Sequence, residues 1–184
     1  KNIGAGQCRN IAIKKSNSYY LAFIDSDDLW EENKLKMQIN FMRNNNYSFT
    51  YTHYKTFTND KKIIKTIRTP NKFDFKSFVK NTSIATSSMI VRRDLADKTK
   101  FYNTKICEDY YYKCQLLKKT RYAYCYPRYL MLYQIRKNSL QSNRLKNLYW
   151  MWKINKDFNH FNIVKNLISI LFISLNSLKK YGLR

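Results

Sequence analysis

The sequence has few cysteines and lacks both a membrane-spanning apolar run and a secretory leader. Its four cysteines form no C-x-x-C pair and have no histidine spacing that would build a zinc site. No stretch reaches the roughly 18 apolar residues that a transmembrane helix needs, and no signal-peptide pattern opens the chain. This argues against a zinc module or an integral membrane protein, and we expect a cytosolic protein with reduced cysteines.

Acidic residues are also scarce. The chain has 12 Asp and Glu against 35 Lys and Arg, a formal net charge of +23 over 184 residues. Such a charge predicts polyanionic partners, and nucleic acid, an anionic membrane surface and phosphate-bearing substrates all fit it. Apolar residues make up 44% and aromatic residues 16%, which favours a folded domain over a disordered chain.

The few acidic residues are concentrated in one place. Five of the twelve lie between Asp25 and Glu32, directly behind the apolar run 19–24, which is predicted to be a buried strand. Carboxylates at the end of a strand stand where an open sheet usually binds its ligand. Hard oxygens suit Mg²⁺ or Mn²⁺, and such ions commonly bridge carboxylates to substrate phosphates. The cluster therefore predicts a metal-assisted transfer from a phosphorylated donor.

The acidic cluster has two other interpretations. It could merely cap the following helix, because aspartate accepts hydrogen bonds from unpaired amides and complements the helix dipole. A calcium loop of the EF-hand type is excluded, because its sixth position is Trp30 rather than glycine and its twelfth is Lys36 rather than glutamate.

Periodicity along the chain predicts an α/β fold with a helical tail. In the run 163–175 only Lys165 is charged, so this segment either lies in a membrane interface or is buried against the domain. The expected helices span 7–15, 31–43, 73–80, 108–119 and 145–181, and the expected strands span 19–24, 47–54, 61–68, 89–91 and 122–133.

The order of several short motifs resembles the family 2 inverting glycosyltransferases, which have the GT-A fold and build bacterial capsules, teichoic acids or lipopolysaccharide. The matching text is NIG at 2–4, RN at 9–10, YLAFIDSDDLW at 20–30, KL at 34–35 with Gln38, TSSMIVRR at 86–93, CEDY at 107–110 and YQIRKNSL at 133–140. The resemblance implies a partial, Rossmann-like GT-A fold that lacks its first βα units. We expect residues 1–144 to belong to the transferase domain and 145–184 to form a basic, helical tail.

The resemblance also implies roles for individual residues. Asp25 and Asp27 would hold Mg²⁺ or Mn²⁺ on the diphosphate of a nucleotide sugar, and Asp109 would be the catalytic base. Two acids at a helix start also stabilise the helix without any catalysis, so residues 108–109 have a purely structural alternative. Contacts to the donor are expected from Arg9, Asp25, Asp28, Glu108 and Arg136.

The implied partners are a nucleotide-sugar donor, a saccharide or lipid-linked acceptor, and an anionic membrane surface. The expected location is cytoplasmic and peripheral, at the inner face of a bacterial membrane. Because the family's first strands are not found in the sequence, we expect a fragment that is poorly active alone and has an open sheet edge. The alternatives are a non-catalytic basic membrane-peripheral module and a nucleic-acid-binding module; the second lacks a recognisable binding motif. The oligomeric state is left open.

Overall fold

A computed structural model describes residues 2–58, 62–135 and 143–182. These residues form a mixed α/β fold, as the sequence predicts. The helices are α1 (Ala5–Lys15), α2 (Lys34–Asn45), α3 (Phe75–Phe78), α4 (Arg93–Ala96), α5 (Glu108–Lys119), α6 (Arg144–Asp157) and α7 (Ile163–Tyr181). The strands are β1 (Tyr20–Ala22), β2 (Leu29–Trp30), β3 (Phe49–Phe57), β4 (Ile63–Ile67), β5 (Lys72–Phe73), β6 (Ile90–Arg92) and β7 (Ala123–Gln134).

The strands form one seven-stranded sheet in the order β1-β6-β3-β7-β2, with β4 paired to β3 and β5 to β7. The central strands β3 and β7 run parallel, whereas the other pairs are antiparallel. The sequence predicts that the strands at 47–54 and 61–68 form a hairpin, and the antiparallel pairing of β3 with β4 confirms it. In the described part of the chain β1 pairs with β6 alone, which leaves its outer edge open; association through that edge stays a prediction.

The main core lies between the sheet and α5. Strand β3 is buried along nearly its whole length, as expected for a central strand covered on both faces. Helical spacing in the sequence predicts that Tyr112, Leu116 and Leu117 form the inner face of α5. This prediction is confirmed, because all three are buried in this core. The start of α5 is therefore fixed against the sheet by packing, and this fixes the position of its first-turn carboxylates.

The apolar face predicted for α1 is not buried, and the one predicted for α2 is buried only in part. On α1, Cys8 and Ile11 are exposed, and only Gly6 is buried. Helix α2 begins at Lys34 instead of residue 31. Of the three residues that helical spacing places on its inner face, Met42 is buried, Ile39 is half-buried and Leu35 is exposed.

The side chains that α2 buries are mostly polar, namely Lys34, Gln38 and Met42. Lys34 Nζ donates to Gln38 Oε1 at 3.0 Å, and Gln38 Nε2 donates to Thr50 Oγ1 and to the carbonyl oxygen of Ser88, both at 3.1 Å. Burial lowers the pKa of Lys34 to about 7. Partners from distant elements thus allow this face to be buried although it is polar.

Helix α7 is oriented with its polar side inward. Asn166 and Ser169 are buried, and Ser169 Oγ donates to the carbonyl oxygen of Val79 at 2.5 Å. The outward side carries the apolar stripe, which we define as Ile163, Val164, Leu167, Leu171, Phe172 and Leu175, each between 43% and 71% exposed. In the described residues no helix is long and apolar enough to span a membrane.

Candidate active site

The acidic turn after β1 is fastened to two other elements. Asp25 N donates to Ser87 Oγ at 2.9 Å, and Ser87 Oγ in turn donates to Asp28 Oδ2 at 2.5 Å. The second oxygen of Asp28 accepts from the backbone N–H of Gln134 at 3.0 Å. The turn is therefore held between the 3₁₀ turn Thr86–Ser88 and the end of β7.

Asp28 is the buried member of the acidic turn, with 5% of its surface exposed. Burial raises the pKa of Asp28 to about 6, although its hydrogen bonds from Ser87 and Gln134 act in the opposite direction. Both of its oxygens are engaged within the chain, so the geometry favours a positioning role; its predicted donor contact stays a prediction.

Arg9 connects the acidic turn to the start of α5. Its Nη2 lies 2.5 Å from Asp25 Oδ1, and its Nη1 lies 2.9 Å from Glu108 Oε1. A Cβ atom on Gly6 would lie 3.0 Å from Glu108 Cγ, so a glycine at this position permits α1 to approach α5 closely. Carboxylates 83 positions apart in the sequence thus share one partly buried guanidinium.

Asp109 follows Glu108 in the first turn of α5. Its Oδ2 accepts hydrogen bonds from Lys113 Nζ at 2.7 Å and from Thr86 Oγ1 at 3.1 Å. The Lys113 side chain is 5% exposed, whereas that of Asp109 is 25% exposed. Burial by itself raises the pKa of Asp109, but the charge and hydrogen bond of Lys113 more than offset this and lower it to about 2. The carboxylate is therefore ionised at neutral pH and still reaches the surface.

The predicted metal ligands Asp25 and Asp27 are both partly exposed. Among the described residues, no three His, Cys, Asp or Glu side chains lie close enough to form a metal site by themselves. Two carboxylates nevertheless fit Mg²⁺ or Mn²⁺, because such ions commonly take one or two protein carboxylates together with substrate phosphates. Arg136, predicted to contact the donor, lies outside the described residues.

Three residues of the site received no role from the sequence: Thr86, Ser87 and Lys113. Lys113 could have been found, because it stands four positions after Asp109 on a predicted helix and must share its face. The two hydroxyl residues stand in the matched motif at 86–93, but the motif alone gave them no role, since their partners come from the acidic turn and from α5.

Known proteins resemble this chain in sequence and in fold. Residues 1–111 match the family model described as glycosyl transferase family 2. The chain belongs to this family. It is 32% identical over 174 residues to WfgD of Escherichia coli, named as a UDP-Glc:alpha-D-GlcNAc-diphosphoundecaprenol beta-1,3-glucosyltransferase, covering 94% of this chain and 66% of WfgD. TuaG of Bacillus subtilis, a glycosyltransferase proposed for teichuronic acid biosynthesis, is 28% identical over 181 residues, covering 98% of this chain and 72% of TuaG.

Among solved structures, the fold matches residues 1–349 of S. aureus TarS in complex with UDP-GlcNAc. The TM-score is 0.65 at 16% identity, with 95% of this chain and 55% of the TarS chain covered. This likeness shows that the described residues have the fold of GT-A glycosyltransferases. The chain spans about two thirds of WfgD and about half of the TarS chain.

Proposed function

We propose that this chain carries the metal-binding and acceptor side of an inverting glycosyltransferase that uses a nucleotide-diphosphate sugar. The observation that carries the proposal is the contact of Arg9 with both Asp25 and Glu108. This contact sets the acidic turn, which carries the predicted metal ligands, beside the start of α5, which carries the predicted base Asp109, and we infer that the two share one cleft. Relatives named for UDP-glucose and a homologous fold crystallised with UDP-GlcNAc support a UDP-linked hexose as the donor.

The proposed reaction is a single displacement at the anomeric carbon. Asp109 accepts the proton of an acceptor hydroxyl, whose oxygen forms the new bond to that carbon. The bond from the same carbon to the diphosphate oxygen breaks, and the nucleoside diphosphate leaves with the electron pair. Asp25 and Asp27 would hold Mg²⁺ or Mn²⁺, which would supply Lewis-acid stabilisation of the leaving diphosphate. Arg9 places a second positive charge on the same side, and attack from the opposite face inverts the configuration.

We further propose that the acceptor is a lipid-linked saccharide and that the protein works at the inner face of a bacterial membrane. The name of WfgD gives a diphosphoundecaprenol acceptor for that relative. In this chain the apolar stripe of α7 points outward, and residues 144–182 carry seven basic residues and one acidic residue. In this proposal residues 1–144 carry the chemistry and residues 145–184 bind the membrane.

Two variants of the natural gene product, with any sequence that flanks these residues, test the chemical proposal. Asp109→Asn should abolish transfer and leave Mn²⁺-dependent UDP binding unchanged, because the amide cannot accept the proton. Asp27→Ala should weaken both, and Asp94→Ala, an exposed acid outside the cleft, serves as the control. Unchanged turnover in Asp109→Asn would refute the assigned base. Membrane binding with no transfer by the wild type under any donor would favour the non-catalytic peripheral module.

A further inference from the structure

A concave basic surface lies where the end of α7 meets β4. We call it the basic pocket and define it by its four cations, Lys65, Arg68, Lys179 and Lys180. The side chains of Asn81 and Asn176 also line it, and no carboxylate is among the described residues of its wall. Such a concentration of positive charge in a concavity is suited to an anion with several oxygens.

The pocket is partly ordered by contacts within the chain. Lys65 Nζ donates to the carbonyl oxygen of Lys179 at 2.9 Å, so the β4 lysine is held at the last turn of α7. Burial and the nearby charge of Lys113 lower the pKa of Lys180 to about 8. An anion that bound here would therefore stabilise the charged form of Lys180, which burial disfavours.

The basic pocket adjoins the support of Asp109. Ser83 lines the pocket, and the next residue, Ile84, accepts the hydrogen bond from Lys113 Nζ at 2.8 Å. Lys113 in turn contacts Asp109. On the other side, the apolar stripe follows α7 toward its last turn, where Lys179 and Lys180 stand. The pocket thus lies between an outward apolar surface and the candidate catalytic base.

We propose that the basic pocket binds the diphosphate head group of a lipid-linked acceptor while the lipid chain lies along the apolar stripe. This inference rests on the proposed function, because it assigns a place to the acceptor of that reaction. Arginine binds phosphate oxygens with two parallel hydrogen bonds, and lysine adds a compact charge. An apolar helix face beside basic residues is the combination that binds to an anionic membrane surface.

The test measures binding of the natural gene product, with any sequence that flanks these residues, to vesicles by co-sedimentation, without donor and without transfer. Three vesicle types are compared: phosphatidylcholine alone, phosphatidylcholine with undecaprenyl diphosphate, and phosphatidylcholine with phosphatidylglycerol at the same surface charge. The variant Arg68→Gln/Lys179→Gln removes two exposed pocket charges. The variant Lys14→Gln/Lys15→Gln removes two exposed charges from α1 and is the matched control.

The wild type should bind the diphosphate vesicles most tightly. The pocket variant should lose about tenfold or more on these vesicles, and the α1 variant about twofold or less. On phosphatidylglycerol the two variants should behave alike. Inorganic pyrophosphate should displace the wild type from the diphosphate vesicles at concentrations where it does not displace the pocket variant.

Equal losses in the two variants on the diphosphate vesicles would overturn the assignment, because general charge would then explain the binding. Equal wild-type affinity for both anionic vesicles would overturn it as well. The proposed chemistry is tested separately, since Asp109→Asn should bind the vesicles like the wild type. If the pocket variant bound the vesicles normally and Asp109→Asn lost transfer, the proposed acceptor site would be wrong while the proposed transferase chemistry would stand.

Discussion

Lys113 lies one helical turn beyond Asp109 on α5 and holds its carboxylate from the buried side, with 2.7 Å between Nζ and Oδ2. The lysine also donates to the carbonyl oxygen of Ile84 at 2.8 Å, so its ammonium group has two fixed acceptors. Both contacts lie on the buried side of the Asp109 carboxylate. Among the described residues, Oδ1 of Asp109 accepts no hydrogen bond, and it is the oxygen that remains for an acceptor hydroxyl.

Replacing Lys113 should change the pH dependence of transfer. Lys113→Met removes the charge that keeps the pKa of Asp109 near 2, while burial continues to raise it. Loss of an opposite charge at this distance corresponds to an increase of about 1–3 pKa units. The acid limb of the pH profile of kcat/KM should therefore move upward by that amount, into a measurable range.

The control for this shift is Lys118→Met, which removes a lysine from the same helix. Lys118 Nζ donates to the carbonyl oxygen of Phe158 and does not contact Asp109. Its pH profile should match that of the wild type. A Lys113→Met profile with an unmoved acid limb would show that Asp109 is not the group that titrates in turnover.

Asp28 should make the folded state less stable as the pH rises from 4 to 7. Its pKa is about 6 in the folded chain and about 3.9 in an unfolded one, so the folded state binds more protons within this window. Raising the pH from 4 to 7 therefore lowers the free energy of unfolding by about 2 to 3 kcal/mol. Urea unfolding at pH 4 and pH 7 should show this loss in the wild type and not in Asp28→Asn.

Asp94→Asn is the matched control for Asp28. Asp94 pairs with Arg92 on the surface, and the hydrogen bond from Arg92 lowers the pKa of Asp94 below its usual value. Its titration therefore lies below the window from pH 4 to pH 7, and this variant should keep the wild-type pH dependence. If Asp28→Asn also keeps it, the carboxyl of Asp28 does not titrate with a raised pKa.

Local patterns were sufficient for the acidic turn and for α5, but not for α2. In α5 the apolar positions 112, 116 and 117 recur at helical spacing, and the buried face agrees with that spacing. In α2 the same rule selected Met42, which is buried, but also Leu35, which is exposed. The helix instead buries Gln38, whose partners Thr50 and Ser88 lie in a strand and a turn far along the chain. Contacts between residues far apart in the sequence cannot be predicted from the periodicity of a single helix.

Periodicity also identified the apolar stripe of α7 without indicating which way it faces. The orientation is decided by polar contacts between helices, above all those of Asn155 on α6. A rule that always buries the apolar side of a helix would have predicted the opposite orientation of α7. For the run 163–175 the sequence left two alternatives, burial against the domain and contact with a membrane interface. The structure shows that the apolar stripe faces outward, while membrane contact stays a prediction.

Replacing Asn155, whose side-chain amide connects α6 to α7, should destabilise the fold. Asn155 is fully buried; its Nδ2 donates to Asn166 Oδ1 at 3.1 Å and Ser169 Oγ at 3.0 Å, and its Oδ1 accepts from Tyr110 OH at 2.8 Å and from Asn159 Nδ2 at 3.0 Å. Asn155→Ala leaves these groups without that partner. We expect the free energy of unfolding to fall by about 3 kcal/mol.

The matched control for Asn155 is Asn45→Ala. The Asn45 side chain is exposed and makes a single local hydrogen bond to the carbonyl oxygen of Phe41 at 2.9 Å. Its loss should cost about 0.5 kcal/mol or less in urea unfolding. Similar losses in the two variants would mean that the contact between α6 and α7 does not depend on the buried amide.

Substitutions on opposite sides of α7 should separate membrane binding from stability. Leu167 and Leu171 are 56% and 58% exposed, whereas Ile173 on the same helix is 4% exposed. Leu167→Ser/Leu171→Ser removes apolar surface that a membrane would bury, at roughly 1.5–3 kcal/mol for each leucine, so vesicle binding should fall at least about tenfold. The free energy of unfolding should change by less than about 1 kcal/mol, because neither side chain packs inside.

Ile173→Ser should have the reverse effect. It removes a buried side chain from the domain side of α7, which should cost about 2–5 kcal/mol of unfolding free energy. Vesicle binding by the molecules that remain folded should be unchanged, because the apolar stripe is intact. If the double leucine variant instead unfolded easily and bound vesicles normally, the outward side of α7 would contact protein and not lipid.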